Sequence, residues 1–380
     1  MGFLRDTWAE INLDAIKWNV QKMREFLSDD VQIMAVVKAN AYGHGDVEVA
    51  QIALESGASM VAVAILDEAI ALRQKGIQAP ILVLGASRPE NAVLAAEHDI
   101  SLTVFQKDWL IRAKKLLDTH QLKIHIKCDT GMGRLGVRLF EELNELVQTV
   151  RQSPQFIWEG MYTHFATADQ TDEHYFQKQL SLFDTWVEQL DNKPPIIHAS
   201  NSAAALKQHI KKFNAVRMGI SMYGLAPSPE IKPLLPFDLK PAMSLYSKIV
   251  HIKRVEKGSA ISYGNAYIAE DDEWIATLPI GYADGWIRKN QGFDVSVEGI
   301  RVPIVGRVCM DQCMIKLPAY YPEGTKVCLI GQDVTIDEVA ERLDTINYEV
   351  ACMISSRVPR VYIKDDQIIA IKNIILDQTP

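Results

Sequence analysis

Short apolar runs rich in β-branched residues recur eight times between residues 33 and 224, each followed by a stretch with helical spacing. The runs are IMAVV (33–37), MVAVAI (60–65), PILVLG (80–85), ISLTVF (100–105), KIHIKC (123–128), EGMYTHF (159–165), PIIHAS (195–200) and NAVRMGI (214–220). Apolar runs with little alternation are the signature of strands buried on both faces, as in a parallel sheet covered by helices. Between the runs, Phe176, Leu180, Phe183, Val187 and Leu190 step by four and three, which predicts one apolar stripe on a helix. Eight βα units of about 25 residues predict a (β/α)8 barrel. The rival architecture is an open doubly wound sheet, but no GxGxxG follows an early strand.

From Pro227 to Pro241 five prolines interrupt any helix or central strand, and the domain boundary is placed there. Beyond it, LYSKIVHIKRV (245–255), WIATLPI (274–280), FDVSVEGIRVPIVG (293–306), TKVCLIG (325–331) and RVYIKDDQIIAIKN (360–373) read as alternating strands, the last as a hairpin around Asp365 and Asp366. The predicted organisation is an N-terminal strand (1–11) packing with the C-terminal domain, a barrel (12–236) and a mostly β domain (237–380). The 380 residues carry 40 Lys and Arg against 48 Asp and Glu, without a long basic run, so nucleic acid is excluded as a partner. No apolar run reaches the roughly 20 residues of a membrane span, and the first residues carry no signal-peptide core. Cys128, Cys309, Cys313, Cys328 and Cys352 form no CxxC and no zinc-like spacing, so no metal is expected and a reduced, cytoplasmic protein fits.

In a barrel of this type the site lies at the strand C-termini. Lys38 follows the first strand directly; it reads as a strand-end charge turned to solvent or as an amine able to form a Schiff base when partly desolvated. Ser202 with Gly219 and Ile220 would follow strands seven and eight, where barrels commonly bind phosphate, although Gly219 taken alone only eases a turn. An amine and a phosphate cradle together point to pyridoxal 5′-phosphate.

AVVKANAYGHG (35–45), DTGMGRLG (129–136) and NAVRMGISMYG (214–224), with ISYGN (261–265), IGYADG (280–285), VGRVCMDQ (305–312) and SRVPR (356–360), resemble the signature blocks of alanine racemases of Gram-positive bacteria, over nearly the whole chain. The resemblance implies a homodimer with active sites shared between chains that interconverts L- and D-alanine and supplies D-alanine for peptidoglycan. It implies Lys38 and Tyr263 as the two catalytic acid/base groups, with Lys38 also carrying the cofactor. Tyr42, Ser202, Gly219 and Ile220 would hold its phosphate, Arg217 would face its pyridine nitrogen, and His164 would lie beside it. Arg134 and the Met310 backbone would meet the substrate carboxylate, and Asp169, Tyr282, Arg288 and Arg307 would line the entrance. Lys127 matches a position that some members carry as a carboxylated lysine. Ser356 stands where relatives often have a tyrosine that narrows the entrance, and Asp284 and Asp311 read as capping or buttressing groups. Other enzymes of this fold, acting on serine or a basic amino acid, and non-catalytic barrels that bind the same cofactor are the alternatives. The latter lack a β domain such as residues 237–380 supply.

Overall fold

Continuous burial, without alternation, marks most strands of the larger of two units in this computed structural model, which describes residues 2–207 and 213–377. The chain divides into Ile16–Ala41 with Asp46–Lys240, and Met1–Ala15 with Tyr42–Gly45 and Pro241–Pro380. The ends of the predicted domains at residues 1 and 378–380 lie outside the described residues. After an N-terminal strand, β1 (Thr7–Asn12), eight parallel strands close into a barrel. They are β2 (Gln32–Val36), β3 (Met60–Val63), β4 (Ile81–Ala86), β5 (Ile100–Val104), β6 (Leu122–Lys127), β7 (Phe156–Tyr162), β8 (Ile196–His198) and β9 (Ala215–Met218).

Strand β9 pairs with β2 from Gln32↔Ala215 to Ala35↔Met218, which closes the barrel. Met34, Met60, Leu82, Ile196 and Ala215 pack together within its core. Helices follow the strands; His174–Gln189 buries Phe176, Phe183 and Val187 as its spacing predicts, but Gln179 and Trp186 are buried where Leu180 is not. Several predicted strands end earlier than read, MVAVAI at Val63 and PIIHAS at His198 among them. The one expected to reach residue 165 ends at Tyr162, so His164 lies in the loop beyond it. The last ends at Met218, because Gly219 leaves the strand conformation (φ −101, ψ −107) and Ile220–Tyr223 forms a 3-10 turn.

The second unit is mostly β, as its alternation predicts. Its ten-stranded sheet runs in the order β11-β14-β17-β16-β15-β18-β10-β1-β19-β20. These strands are β10 (Met243–Lys248), β11 (His251–Val255), β14 (Glu273–Leu278), β15 (Asp294–Val297), β16 (Ile300–Val305), β17 (Cys313–Leu317), β18 (Lys326–Ile330), β19 (Arg360–Lys364) and β20 (Gln367–Lys372). The small pair β12 (Ala260–Ile261) and β13 (Tyr267–Ile268) stands apart from them. Strand β1 is antiparallel to β10 and parallel to β19. The β19–β20 turn places Asp365 and Asp366 at φ 51 and 57, the twin left-handed residues of a tight hairpin. Two helices, Ile336–Leu343 and Asn347–Met353, interrupt the β pattern; Thr335 and Glu338 form the capping box of the first. Among the described residues no helix is long and apolar enough to cross a membrane.

One buried carboxylate organises the loop after β14. Asp284 is fully buried and takes two hydrogen bonds from Arg5 at 2.9 and 2.8 Å and one from Gly281 N at 3.0 Å. Removing one member of a buried ion pair leaves the other charge uncompensated. Asp284→Ala should therefore destabilise the protein by about 3 kcal/mol, read as a lower midpoint in urea denaturation; an unchanged midpoint would contradict this role for the pair.

Candidate functional site

Lys38 stands two residues beyond the end of β2 at Val36, and the backbone then enters a left-handed turn. Ala39, Asn40 and Ala41 sit at φ 52 and Tyr42 at φ 53. Successive non-glycine residues there cost about 1–2 kcal/mol each. Offsetting hydrogen bonds run from Ala41 N to Val37 O (2.8 Å), from Ala39 N to Glu68 Oε1 (2.6 Å) and from Asp46 N to Asn40 Oδ1 (3.2 Å). The Tyr42 side chain is buried near the ring of Tyr348, in the second unit, and burial raises its pKa.

Arg217, on β9, is the centre of the barrel site. Its guanidinium donates to His198 Nδ1 (2.7 Å), His164 Nδ1 (3.2 Å), Thr163 O (3.0 Å) and Ala199 O (2.8 Å). Burial lowers its pKa to about 10, still charged near neutrality. The Tyr162 ring lies 5.3 Å from Arg217 Cζ on one side, stacks on His198 at 4.5 Å, and meets Lys127 Nζ at 4.2 Å. Its hydroxyl is held by Leu84 O (3.0 Å) and Thr103 Oγ1 (2.8 Å).

Lys127 ends β6 and is almost fully buried; burial first, then the charges of Arg217 and Arg134, bring its amine down to about 7. Arg134 rides on the following loop, which Asp129 shapes by accepting hydrogen bonds from Gly131 N (3.2 Å) and Gly133 N (2.8 Å). At Gly136 (φ 127) a Cβ would stand 2.5 Å from Asp129 N, so the loop needs glycine there. His164 falls well below its usual pKa, through burial and then the charges of Arg217, Lys127, Arg134 and Lys38. Arg217 hydrogen-bonds this imidazole directly, and burial keeps the ring neutral. Gln179 fixes this loop, accepting from Ala166 N (2.8 Å) and donating to His164 O (3.2 Å). It is a positioning residue that the apolar spacing concealed. Asp169 lies farther along the same loop, half-buried.

Ser202 Oγ accepts from Gly219 N (2.9 Å) and Ser221 N (3.4 Å), which ties the loop after β8 to the turn after β9. The turn also carries Ile220, which is buried. Close by in sequence, the hydroxyls of Ser200 and Ser221 are buried without a hydrogen-bond partner among the described residues.

The remaining candidates belong to the second unit. Tyr263, Tyr282, Arg288 and Arg307 line, with Ile287, Val308 and Cys309, a pocket of about 510 Å³. Tyr263 is 71% exposed. The preceding Ser262 has φ 71 and ψ 178, a region favouring glycine, and is pinned by its hydroxyl donating to Arg307 O (2.7 Å). Met310 is exposed; its carbonyl accepts from Ala283 N (3.0 Å), as Cys309 O does from Tyr282 N (3.0 Å). A Cβ on Gly281 would meet the Met310 carbonyl at 2.4 Å, so glycine permits this pairing. Asp311 pairs with Arg357 (2.9 Å), and Ser356 lies exposed in the turn before β19.

A closed (β/α)8 barrel with cationic strand ends, followed by a β unit with a tyrosine and arginine pocket, places the chain among two-domain barrel enzymes. Residues 11–227 match the alanine racemase N-terminal domain and residues 242–362 the alanine racemase C-terminal domain. The chain belongs to the alanine racemase family. It is 57% identical to an alanine racemase of Geobacillus stearothermophilus over 98% of this chain and 97% of that one, and 50% identical to alanine racemase 1 of Bacillus subtilis over 98% and 97%. The crystal structure of alanine racemase from Bacillus anthracis with bound L-Ala-P matches with a TM-score of 0.96 and 52% identity, over 99% of this chain and all of that one.

One further contact in the barrel site is sterically decided. Gly160, on β7, faces the His125 ring so closely that a Cβ would stand 2.3 Å from Nδ1. Gly160→Ala should overpack the barrel and lower stability by about 2 kcal/mol in urea denaturation; an unaltered midpoint would show that the ring has room to retreat.

Proposed function

We propose that the chain interconverts L- and D-alanine with pyridoxal 5′-phosphate held at the barrel strand ends. The observation that carries this reading is the buried Arg217 guanidinium at the strand ends, bonded to His164 at 3.2 Å, with the Tyr162 ring near both it and the Lys127 amine. The residues fit the cofactor: a strand-end amine, buried serine hydroxyls without partners beside a glycine turn, and a buried cation that keeps its proton. When bound, pyridoxal phosphate supplies an electron sink that acidifies the α-proton of an attached amino acid.

Racemisation removes a proton from one face of the α-carbon and returns one to the other, so two groups on opposite faces are the simplest solution. Lys38 Nζ takes one face and the Tyr263 phenol the other. Arg217 would face the ring nitrogen as a hydrogen-bond donor that keeps its proton, which would moderate the sink and disfavour side reactions such as transamination. Tyr42, Ser202, Gly219 and Ile220 hold the phosphate, and His164 flanks the site as a neutral imidazole. Arg134 and the Met310 amide orient the substrate carboxylate, while Asp169, Tyr282, Arg288 and Arg307 line the entrance. The working division is a strand at 1–11, a cofactor-binding barrel at 12–236 and a β domain at 237–380. The enzyme is read as cytoplasmic, feeding D-alanine to peptidoglycan.

Each site is shared across a homodimer, with Lys38 of one chain opposite Tyr263 of the partner subunit. The exposure of Tyr263 on its own chain supports this. Lys38→Ala should lose racemisation and borohydride-fixed cofactor; retention of that attachment would sink the assignment. Tyr263→Phe should keep the cofactor and lose racemisation. Mixing the two inactive proteins under subunit exchange should restore activity, since one site of each heterodimer carries neither lesion. If sites formed within one chain, the mixture would stay inactive.

Lys127 carries a carboxylated amine in this reading, because a buried amine titrating near 7 is largely neutral and reactive toward carbon dioxide above that pH. The resulting anion would offset Arg134 and Arg217. Protein equilibrated with ¹³C-bicarbonate at pH 8 should give one carbamate carbon signal that Lys127→Ala removes; a signal that survives the substitution, or none at all, would contradict it.

A further inference from the structure

The acceptors of the Arg217 guanidinium are two imidazoles and two carbonyls, all uncharged. The carboxylate connected to it stands two imidazoles away. His198 Nε2 meets His125 Nδ1 at 3.0 Å, and His125 Nε2 meets Glu159 Oε2 at 3.0 Å. Arginine can only donate a hydrogen bond and an ionised carboxylate can only accept one. With those ends, the protons between them have a single arrangement: Arg217 donates to His198 Nδ1, His198 Nε2–H to His125 Nδ1, and His125 Nε2–H to Glu159. A third proton on either ring would set two donors against each other.

The surrounding fold is built to this chain of bonds. The β6–β7 register shifts between Ile124↔Trp158 and His125↔Gly160, which leaves Glu159 as the extra, unpaired residue of β7. Gly160 leaves the space that its ring occupies. Ser101 Oγ donates a second hydrogen bond to Glu159 Oε2. Burial pushes the Glu159 carboxyl up, but the hydrogen bonds from His125 and Ser101 lead the groups that hold it below its ordinary range. Burial and Arg217 hold His198 neutral.

We infer that Glu159 is a positioning residue: through His125 and His198 it fixes the neutral tautomers that hold the Arg217 guanidinium in place. This rests on the reading of Arg217 as the partner of the cofactor's ring nitrogen. Without an acceptor at residue 159, His125 is released to carry its proton on Nδ1, where it confronts the Nε2–H of His198. Moving the His198 proton to Nδ1 then confronts Arg217. Either way one bond of the chain is lost and the guanidinium loosens.

The test uses the full-length cofactor-loaded protein with ¹⁵N-labelled histidine. Native protein should show both His125 and His198 protonated on Nε2 alone. Glu159→Leu should lose the single tautomer at His125, shift the His198 nitrogens, and lower kcat about tenfold while KM for alanine changes less than twofold. Glu159→Gln keeps an acceptor and should restore the native tautomers and most of kcat. Nδ1 protonation in the native protein would overturn the inference. So would Glu159→Leu with native His198 signals, or Glu159→Gln as impaired as Glu159→Leu. Should Glu159→Leu fail to fold, His125→Phe breaks the same chain; unchanged His198 signals or unchanged kcat there would overturn it equally. The tautomers are read without turnover, so inactive native protein would count against the proposed activity and leave this inference standing.

Discussion

A guanidinium buried inside a barrel is the constraint around which the larger unit is arranged. Burying an unpaired charge is costly, and a buried ion survives only when its hydrogen-bonding capacity is met. Arg217 meets it with the carbonyls of Thr163 and Ala199 and two imidazoles, which requires β7 and β8 to end where these groups become available. The Tyr162 ring offers Arg217 its electron-rich face, with the Lys127 amine 4.2 Å from the same ring. The early end of β8 thus has a chemical reason as well as a topological one.

The second unit solves a different problem, the presentation of exposed side chains from loops. Tyr263 and Tyr282 cannot be fixed by burial, so their backbones are. Ser262 is held in an unfavourable conformation by the Arg307 carbonyl, and Gly306 provides clearance, since a Cβ there would stand 2.6 Å from Ser262 Cβ. Arg5, just before β1, clamps Asp284 and so the loop bearing Tyr282. The N-terminal residues therefore bear on the geometry of a pocket nearly three hundred residues away in sequence.

The barrel was legible because strands buried on both faces write continuous apolar runs, and Lys38 and Lys127 were legible because each closes such a run. The left-handed turn after Lys38 was not, because Ala39-Asn40-Ala41-Tyr42 contains no glycine and takes its support from Glu68 and Asp46. Gln179 was hidden inside an apolar helix stripe. His125, Glu159 and His198 were passed over within the runs KIHIKC, EGMYTHF and PIIHAS; polar residues interrupting buried strands were the available signal, but only the closed sheet shows that they face one another. In the β unit, alternation predicted the sheet, while the helix Ile336–Leu343 was missed although Thr335 and Glu338 carry its start signal.

Lys38 of the barrel and Tyr263 of the partner subunit are proposed to exchange the α-proton of alanine on its two faces. The most direct measurement incubates purified, cofactor-loaded protein with L-alanine, L-serine and L-lysine separately in deuterated water, following configuration by chiral chromatography and α-deuterium by NMR. The predicted result is alanine that reaches equal amounts of both enantiomers, as equal-energy products require, with deuterium at the α-carbon of each. Absence of D-alanine, or D-lysine forming faster than D-alanine, would contradict it.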